Sequence, residues 1–246
     1  MKKELTTGNV FGTLLSFSIP YFCSCFLQTL YGMADLYIVG QFNAVESTTA
    51  VSIGSQMMHM ITVMIVGLAM GTTVSIGHET GAKNEKQVLV TIGNTVTLFL
   101  SLSVAAAVLL TLCIDPIVNA MSTPAEAVNS TVTYLTICFI GIPFITAYNI
   151  ISSVFRGMGD SRSPMYFIAV ACISNIVLDY IFIGALGMGA AGAALGTTLS
   201  QTISVGAALF RIKTDSGMRH IRLASGDLKP KRAVMGKLLS IGVAVA

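Results

Sequence analysis

Asp35 and Asp179 are the only charged side chains inside six long apolar stretches of this chain. An ionisable group at membrane depth is costly, faces a protein-lined or wet cavity, and marks ion or proton handling by default. Each aspartate has polar company at helical spacing. Asn175 and Asp179 are four apart and so project from one helical face, while Tyr31 and Gln28 precede Asp35 by one and two turns on its own face. Thr197, Thr198 and Gln201 form a further polar group. Carboxylate, amide carbonyl and hydroxyl oxygens are hard ligands of the kind that suits Na+. Two carboxylates brought together in a low dielectric can instead share a proton, so Na+ or H+ can drive a cycle on such a set. An isolated Thr, Asn or Gln in a membrane helix also serves as an interhelical hydrogen bond, so the two aspartates carry the functional weight.

The elements that must hold these groups are membrane helices. The chain has 246 residues, a mean hydropathy of +0.79, 54% hydrophobic residues and 10% charged ones. A soluble domain carries roughly 25% charged residues, so a soluble globular protein is excluded. Apolar runs extend over Phe11 to Gly40, Val51 to Ile76, Val88 to Ile114, Val132 to Phe155, Met165 to Leu186 and Ala190 to Phe210. Each is near or above the ~20 residues that a spanning helix needs. The first run follows Lys2 and Lys3 but is too long for a signal sequence, so it is read as retained. These runs predict an all-α integral membrane protein with a six-helix transmembrane bundle over residues 1–210 and a cytoplasmic linker over 211–232. Residues 233–246 are read as the truncated start of a second bundle and a seventh helix. Gly236-Lys237-Leu238-Leu239-Ser240 echoes Gly12-Thr13-Leu14-Leu15-Ser16 at the start of the first run, as expected of duplicated transporter halves.

Charge placement sets the expected orientation, because Lys and Arg near span ends stay on the cytoplasmic side. All fourteen basic residues fall on one side of the six-span arrangement, among them Lys2, Lys3, Lys83, Lys86, Arg156 and Arg162, with the rest after the sixth run. The opposite connections hold only Glu46, Asp115 and Glu126. The expectation is a multi-pass protein of the cell membrane with a cytoplasmic N-terminus. The basic stretch from Arg211 to Lys237 is read as a solvated linker touching anionic lipid, with no nucleic-acid role.

Smaller signals complete the reading. Pro20 lies fifteen residues before Asp35, where a missing amide donor favours a kink or hinge. Gly192 and Gly196 stand at GxxxG spacing and permit close helix contact. Cys23, Cys25, Cys113, Cys138 and Cys172 have no zinc-type spacing and are read as small packing residues. Trp is absent, so an interfacial belt rests on Tyr37, Tyr134 and Tyr166. Thr123 is expected to cap a helix that starts at Pro124, and His59 to be a hydrogen-bonded structural residue.

Several of these segments, in order, resemble one family. They are Ala34-Asp35-Leu36-Tyr37-Ile38-Val39-Gly40, Gly81-Ala82-Lys83-Asn84, Arg156-Gly157-Met158-Gly159-Asp160-Ser161-Arg162-Ser163-Pro164-Met165, and Asn175-Ile176-Val177-Leu178-Asp179 leading to Gly192-Ala193-Ala194-Leu195-Gly196-Thr197. The chain is similar to multidrug and toxic compound extrusion (MATE) transporters of the DinF-like branch. That resemblance implies a twelve-helix exporter of two six-helix bundles, this chain being the N-terminal one and a C-terminal half bundle its partner. It implies antiport of cationic or amphipathic small molecules against Na+ or H+, with no cofactor beyond the coupling ion. By resemblance, the ion site falls on Asp35, Asn175, Asp179 and Thr197, with Na+ a possible occupant, and Pro20 matches a bending proline. Gln28, Tyr31 and Gln201 are the candidates for the substrate cavity.

Two other readings compete. A lipid-linked sugar flippase of the same superfamily needs cationic side chains for pyrophosphate, and no Lys or Arg occurs within the spans. Gly157-Met158-Gly159-Asp160 matches the GxGD pattern of intramembrane aspartyl proteases, with Asp179 as partner, but Asp160 lies between Arg156 and Arg162 in a cytoplasmic turn.

Overall fold

A computed structural model describes residues 10–42, 45–214 and 229–245. In chain order the helices are α1 (Val10–Phe42), α2 (Val45–Gly81), α3 (Glu85–Leu112) and the short α4 (Ile114–Ala120). A 3-10 turn (Ala125–Ala127) leads into α5 (Val128–Gly157), followed by α6 (Arg162–Asp179), which runs straight into a π-helical turn (Tyr180–Ala185). The last two helices are α7 (Gly189–Thr214) and α8 (Arg232–Val245). Among the described residues six helices, α1, α2, α3, α5, α6 with its π turn, and α7, are long and apolar enough to cross a membrane. A helix suits these runs, since it satisfies every backbone N–H and C=O within one apolar segment, away from water.

The central helix is α5, which packs on α2, α3 and α7, while α6 lies between α1 and α7. Lipid offers no hydrophobic drive for helix association, so close contact depends on small residues. Gly54 of α2 opens the slot that takes the Tyr134 ring of α5. Gly141 of α5 lets Thr198 of α7 approach, since a Cβ there would stand 2.8 Å from its side chain. Around these seats Leu135, Phe139, Ile142, Val39, Val51 and Ala193 make the main apolar core. The first helix of the expected second bundle, α8, rests on α2 and α3, where Gly71 meets Gly242 and Asn94 Oδ1 accepts from the Lys231 backbone N–H at 2.6 Å.

The turn from α5 to α6 shows how local sequence aims a helix. Gly159 adopts φ 85, a left-handed value that other residues resist. Asp160 then accepts from the backbone N–H groups of Arg162 and Ser163 at 3.0 Å each, and from the Ser163 hydroxyl at 2.6 Å. This carboxylate satisfies amides that the start of a helix leaves free.

Several local expectations are corrected. The third span ends at Leu112 rather than Ile114, because Pro116 cannot bond to the carbonyl four residues earlier and its ring crowds that oxygen. Thr123 is no cap: its hydroxyl turns back to the Val118 carbonyl at 3.0 Å, and the 3-10 turn closes on the Pro124 carbonyl. Tyr134 is 2% exposed and belongs to the core, leaving Tyr37 and Tyr166 as the exposed pair. His59 stands on an exposed face of α2. The described cysteines are all free; Cys138 and Cys172 are buried as expected, but Cys25 is exposed. Arg211 and Lys213 sit in the last turn of α7, where cations meet the negative end of the helix dipole. Lys2, Lys3 and the 215–228 part of the linker lie outside the described residues.

Candidate ion-binding site

Three helices bring the four predicted residues together. Asp35 comes from α1, Asn175 and Asp179 from one face of α6, and Thr197 from α7. All are buried, with Asn175 and Asp179 at 0% exposure, Asp35 at 4% and Thr197 at 8%. The Thr197 hydroxyl donates to Asp35 Oδ2 at 3.1 Å. Asp179 and Asn175 lie beside Asp35 across the site.

Gly196 makes this convergence possible. A Cβ on Gly196 would collide with Asp179 Oδ1 and stand 3.6 Å from Asn175 Nδ2, so α7 must be bare there for the carboxylate to fit. The sequence pattern marked Gly196 only as a packing residue of a GxxxG pair. Its position next to Thr197 was the available signal. Gly192, one turn earlier, does pack in the expected way, against Phe182 and Ile183 of the π turn.

The π turn itself was not foreseen. It begins at the residue after Asp179, with Leu186 N–H bonding to the Ile181 carbonyl at 2.9 Å and Met188 N–H to that of Phe182 at 2.9 Å. Wide turns of this kind rotate the following side chains relative to a regular helix and occur often at functional sites. Here Ile183 is turned into the main apolar core.

Asp35 Oδ1, both Asp179 carboxylate oxygens and both amide atoms of Asn175 have no hydrogen-bond partner within the protein. Native structures rarely bury such groups unmet. Two carboxylates that face each other with no donor between them repel unless a proton or a cation joins them. Two carboxylates, an amide carbonyl and a hydroxyl form an all-oxygen set of the kind a hard cation accepts. Among the described residues no three His, Cys, Asp or Glu side chains gather, so the soft-ligand cluster of a transition-metal site is not formed.

The other candidates lie below this cluster on α1 and α7. Gln201 is 3% exposed, while Tyr31 and Gln28 are partly open. Pro20 is buried in α1, and its carbonyl accepts from the Ser24 hydroxyl at 2.8 Å. Asp160 is not part of the cluster. It caps the start of α6 while Asp179 ends it, so about 28 Å of helix at ~1.5 Å per residue separates them, and the GxGD dyad does not form.

The MatE family model matches residues 20–181, which include three of the four clustered residues. The chain belongs to the MatE family. This MatE chain is 32% identical over 209 residues to the probable multidrug resistance protein YpnP of Bacillus subtilis, covering 85% of this chain and 47% of that one. It is 29% identical over 238 residues to the probable multidrug resistance protein NorM of Thermotoga maritima, covering 95% and 50%. Its fold superimposes with a TM-score of 0.87, at 28% identity, on an outward-facing multidrug resistance MATE family transporter of the MOP superfamily, covering 96% of this chain and 52% of the other. A MATE described in a bent conformation gives the same TM-score at 27% identity. The MatE chain therefore spans about half the length of the relatives it matches.

Proposed function

We propose that this chain is the ion-binding half of a secondary multidrug exporter, which antiports cationic or amphipathic small molecules against Na+ or H+ across the cell membrane. The observation that carries the reading is the buried pair Asp35 and Asp179, held face to face with Thr197 and Asn175 and lacking a donor between them. Capture of a cation relieves the repulsion of the pair and so favours whichever helix arrangement holds it closed. A ligand shifts such an equilibrium only through its differential affinity for the two states, and a pair of buried charges supplies that difference. The cargo lies against the face of α1 that carries Gln28 and Tyr31, with Gln201 of α7 as a further lining residue. A second six-helix bundle completes the cavity, and the N-terminus lies in the cytoplasm with the basic residues.

The test is efflux by the complete transporter in vesicles under separately imposed sodium and pH gradients. Asp35→Asn and Asp179→Asn are expected to abolish ion-driven efflux while the protein still reaches the membrane. Normal efflux in either variant removes the assignment.

A further inference from the structure

At the basic end of the bundle α8 does not close completely on α2 and α3. A cavity of about 200 Å³ stays open between them, lined by Ser75 and Glu79 of α2, Gln87 and Thr91 of α3, and Lys237 and Leu238 of α8. Its walls are pinned on two sides. One turn further into the bundle the backbones of α2 and α8 touch: a Cβ on Gly71 would collide with the Leu238 carbonyl oxygen, and one on Gly242 would stand 2.6 Å from that of Leu68. On the α3 side Asn94 Oδ1 holds the Lys231 backbone N–H at 2.6 Å.

The lining offers a hydroxyl and two opposite charges. Ser75 is 4% exposed and borders the cavity, and its hydroxyl has no partner within the protein. Buried hydroxyls in that condition are met by water or a ligand. Glu79 and Lys237 face the same space, yet the ion-pairing neighbour of Glu79 is His78, with Nδ1 3.7 Å away, and not Lys237. The turn from α2 to α3 and the start of α8 add Lys83, Lys86, Lys231 and Arg232 around the mouth, against the single acid Glu85. Such a basic rim draws lipid phosphate toward it.

The cavity straddles the edge of the hydrocarbon. Ser75 and Thr91 lie just inside the apolar runs that end at Ile76 and begin at Val88, whereas Glu79 and Gln87 lie just outside them. Ser75 and Glu79 are one turn apart, about 6 Å at ~1.5 Å per residue. That matches a headgroup layer, which is about 5–7 Å thick on each side of the membrane. The volume is below the roughly 300–1,000 Å³ of sites for drug-sized molecules, so a headgroup fits where a cargo molecule does not.

We infer that this cavity binds the headgroup of an aminophospholipid of the phosphatidylethanolamine type. Its primary ammonium meets Glu79 at the outer level, its phosphate meets Lys237, and the Ser75 hydroxyl donates to a phosphate or ester oxygen at the inner level. The lipid carries these groups in the same order from water to hydrocarbon. Glu79 separates this headgroup from its relatives: a quaternary choline nitrogen has no N–H to donate to the carboxylate, and phosphatidylglycerol has no cation to place there. A headgroup so held touches all three helices and clamps α8 onto α2 and α3. The inference goes beyond the exporter reading and does not draw on the carboxylate pair.

The test uses the complete transporter in nanodiscs of phosphatidylcholine, phosphatidylethanolamine or phosphatidylglycerol, with native mass spectrometry counting the lipid that stays bound. One phosphatidylethanolamine is expected to be retained about tenfold more tightly than either alternative. Glu79→Gln is expected to bring phosphatidylethanolamine down to the level of phosphatidylcholine, and Lys237→Gln to weaken retention of both. Equal retention of the three lipids by the unmodified protein means boundary lipid only and overturns the site, with no need for either variant to fold. A preference for phosphatidylglycerol overturns the aminophospholipid. Coupling between Glu79→Gln and Lys237→Gln in the unfolding midpoint that is equal in phosphatidylcholine and phosphatidylethanolamine is a direct ion pair, and overturns the site as well.

Discussion

Thr197 and Asp35, 162 residues apart in the chain, meet through a 3.1 Å hydrogen bond that ties α7 to α1 inside the bundle. This hydroxyl reaches the carboxylate from another helix, so it sets how Asp35 is turned toward Asp179. Thr197→Val keeps the shape and removes the donor. It is expected to cost about 1–3 kcal/mol, the range for a buried acceptor left unmet. Thr197→Ser should retain most of the stability. Thermal unfolding with and without sodium measures both effects, and the ion-induced rise in midpoint should shrink in the Val variant.

Gly196 is the close-approach point for Asp179, and a methyl group there meets the carboxylate oxygen. Gly196→Ala is expected to destabilise the chain by about 1–3 kcal/mol, the usual range for overpacking. It should also weaken ion-dependent stabilisation more than Gly206→Ala, since a Cβ on Gly206 meets nothing within 4 Å. Equal effects of the two substitutions on ion response would disconnect Gly196 from the site.

Asp160 acts at the start of α6, bonded to two backbone amides and a hydroxyl. Asp160→Ala is expected to cost roughly 0.5–2 kcal/mol, as loss of a helix cap does. Asp160→Asn should recover part of it. Because Asp160 is far from the carboxylate pair, the sodium-induced midpoint shift should be unchanged in both variants. A lost shift would place Asp160 in the ion site after all.

Pro20 deprives the Ser16 carbonyl of its helical donor, a local weakness fifteen residues below Asp35. Pro20→Ala restores the donor and stiffens α1. The expected outcome is an unfolding midpoint equal to or above that of the unmodified protein, together with efflux several-fold slower. Efflux at the normal rate would show that bending at Pro20 is not a step of the cycle.

The spans were legible because apolar length is a one-dimensional property, and runs of ~20 apolar residues fit a membrane helix, which satisfies its own backbone. Asp35 and Asp179 stood out for the same reason, since charge inside an apolar run is visible without coordinates. The spacing of Asn175 and Asp179 placed both on one face, and α6 carries them there. Thr123 and Tyr134 were misread because their partners are decided by contacts. A hydroxyl near a proline can cap forward or turn back to Val118, and a tyrosine goes to the interface or the core according to whether a slot such as Gly54 exists.

Periodicity and composition thus settle which residues are helical, which are in the membrane and which two carboxylates are anomalous, because each follows from local chemistry along the chain. That Asp35 meets Asp179 and Thr197, that Gly196 leaves room for them, and that a π turn follows Asp179 are set by how α1, α6 and α7 pack. Those contacts join residues far apart in sequence, and their energies depend on shape and on buried polar groups finding one another, which no linear spacing encodes.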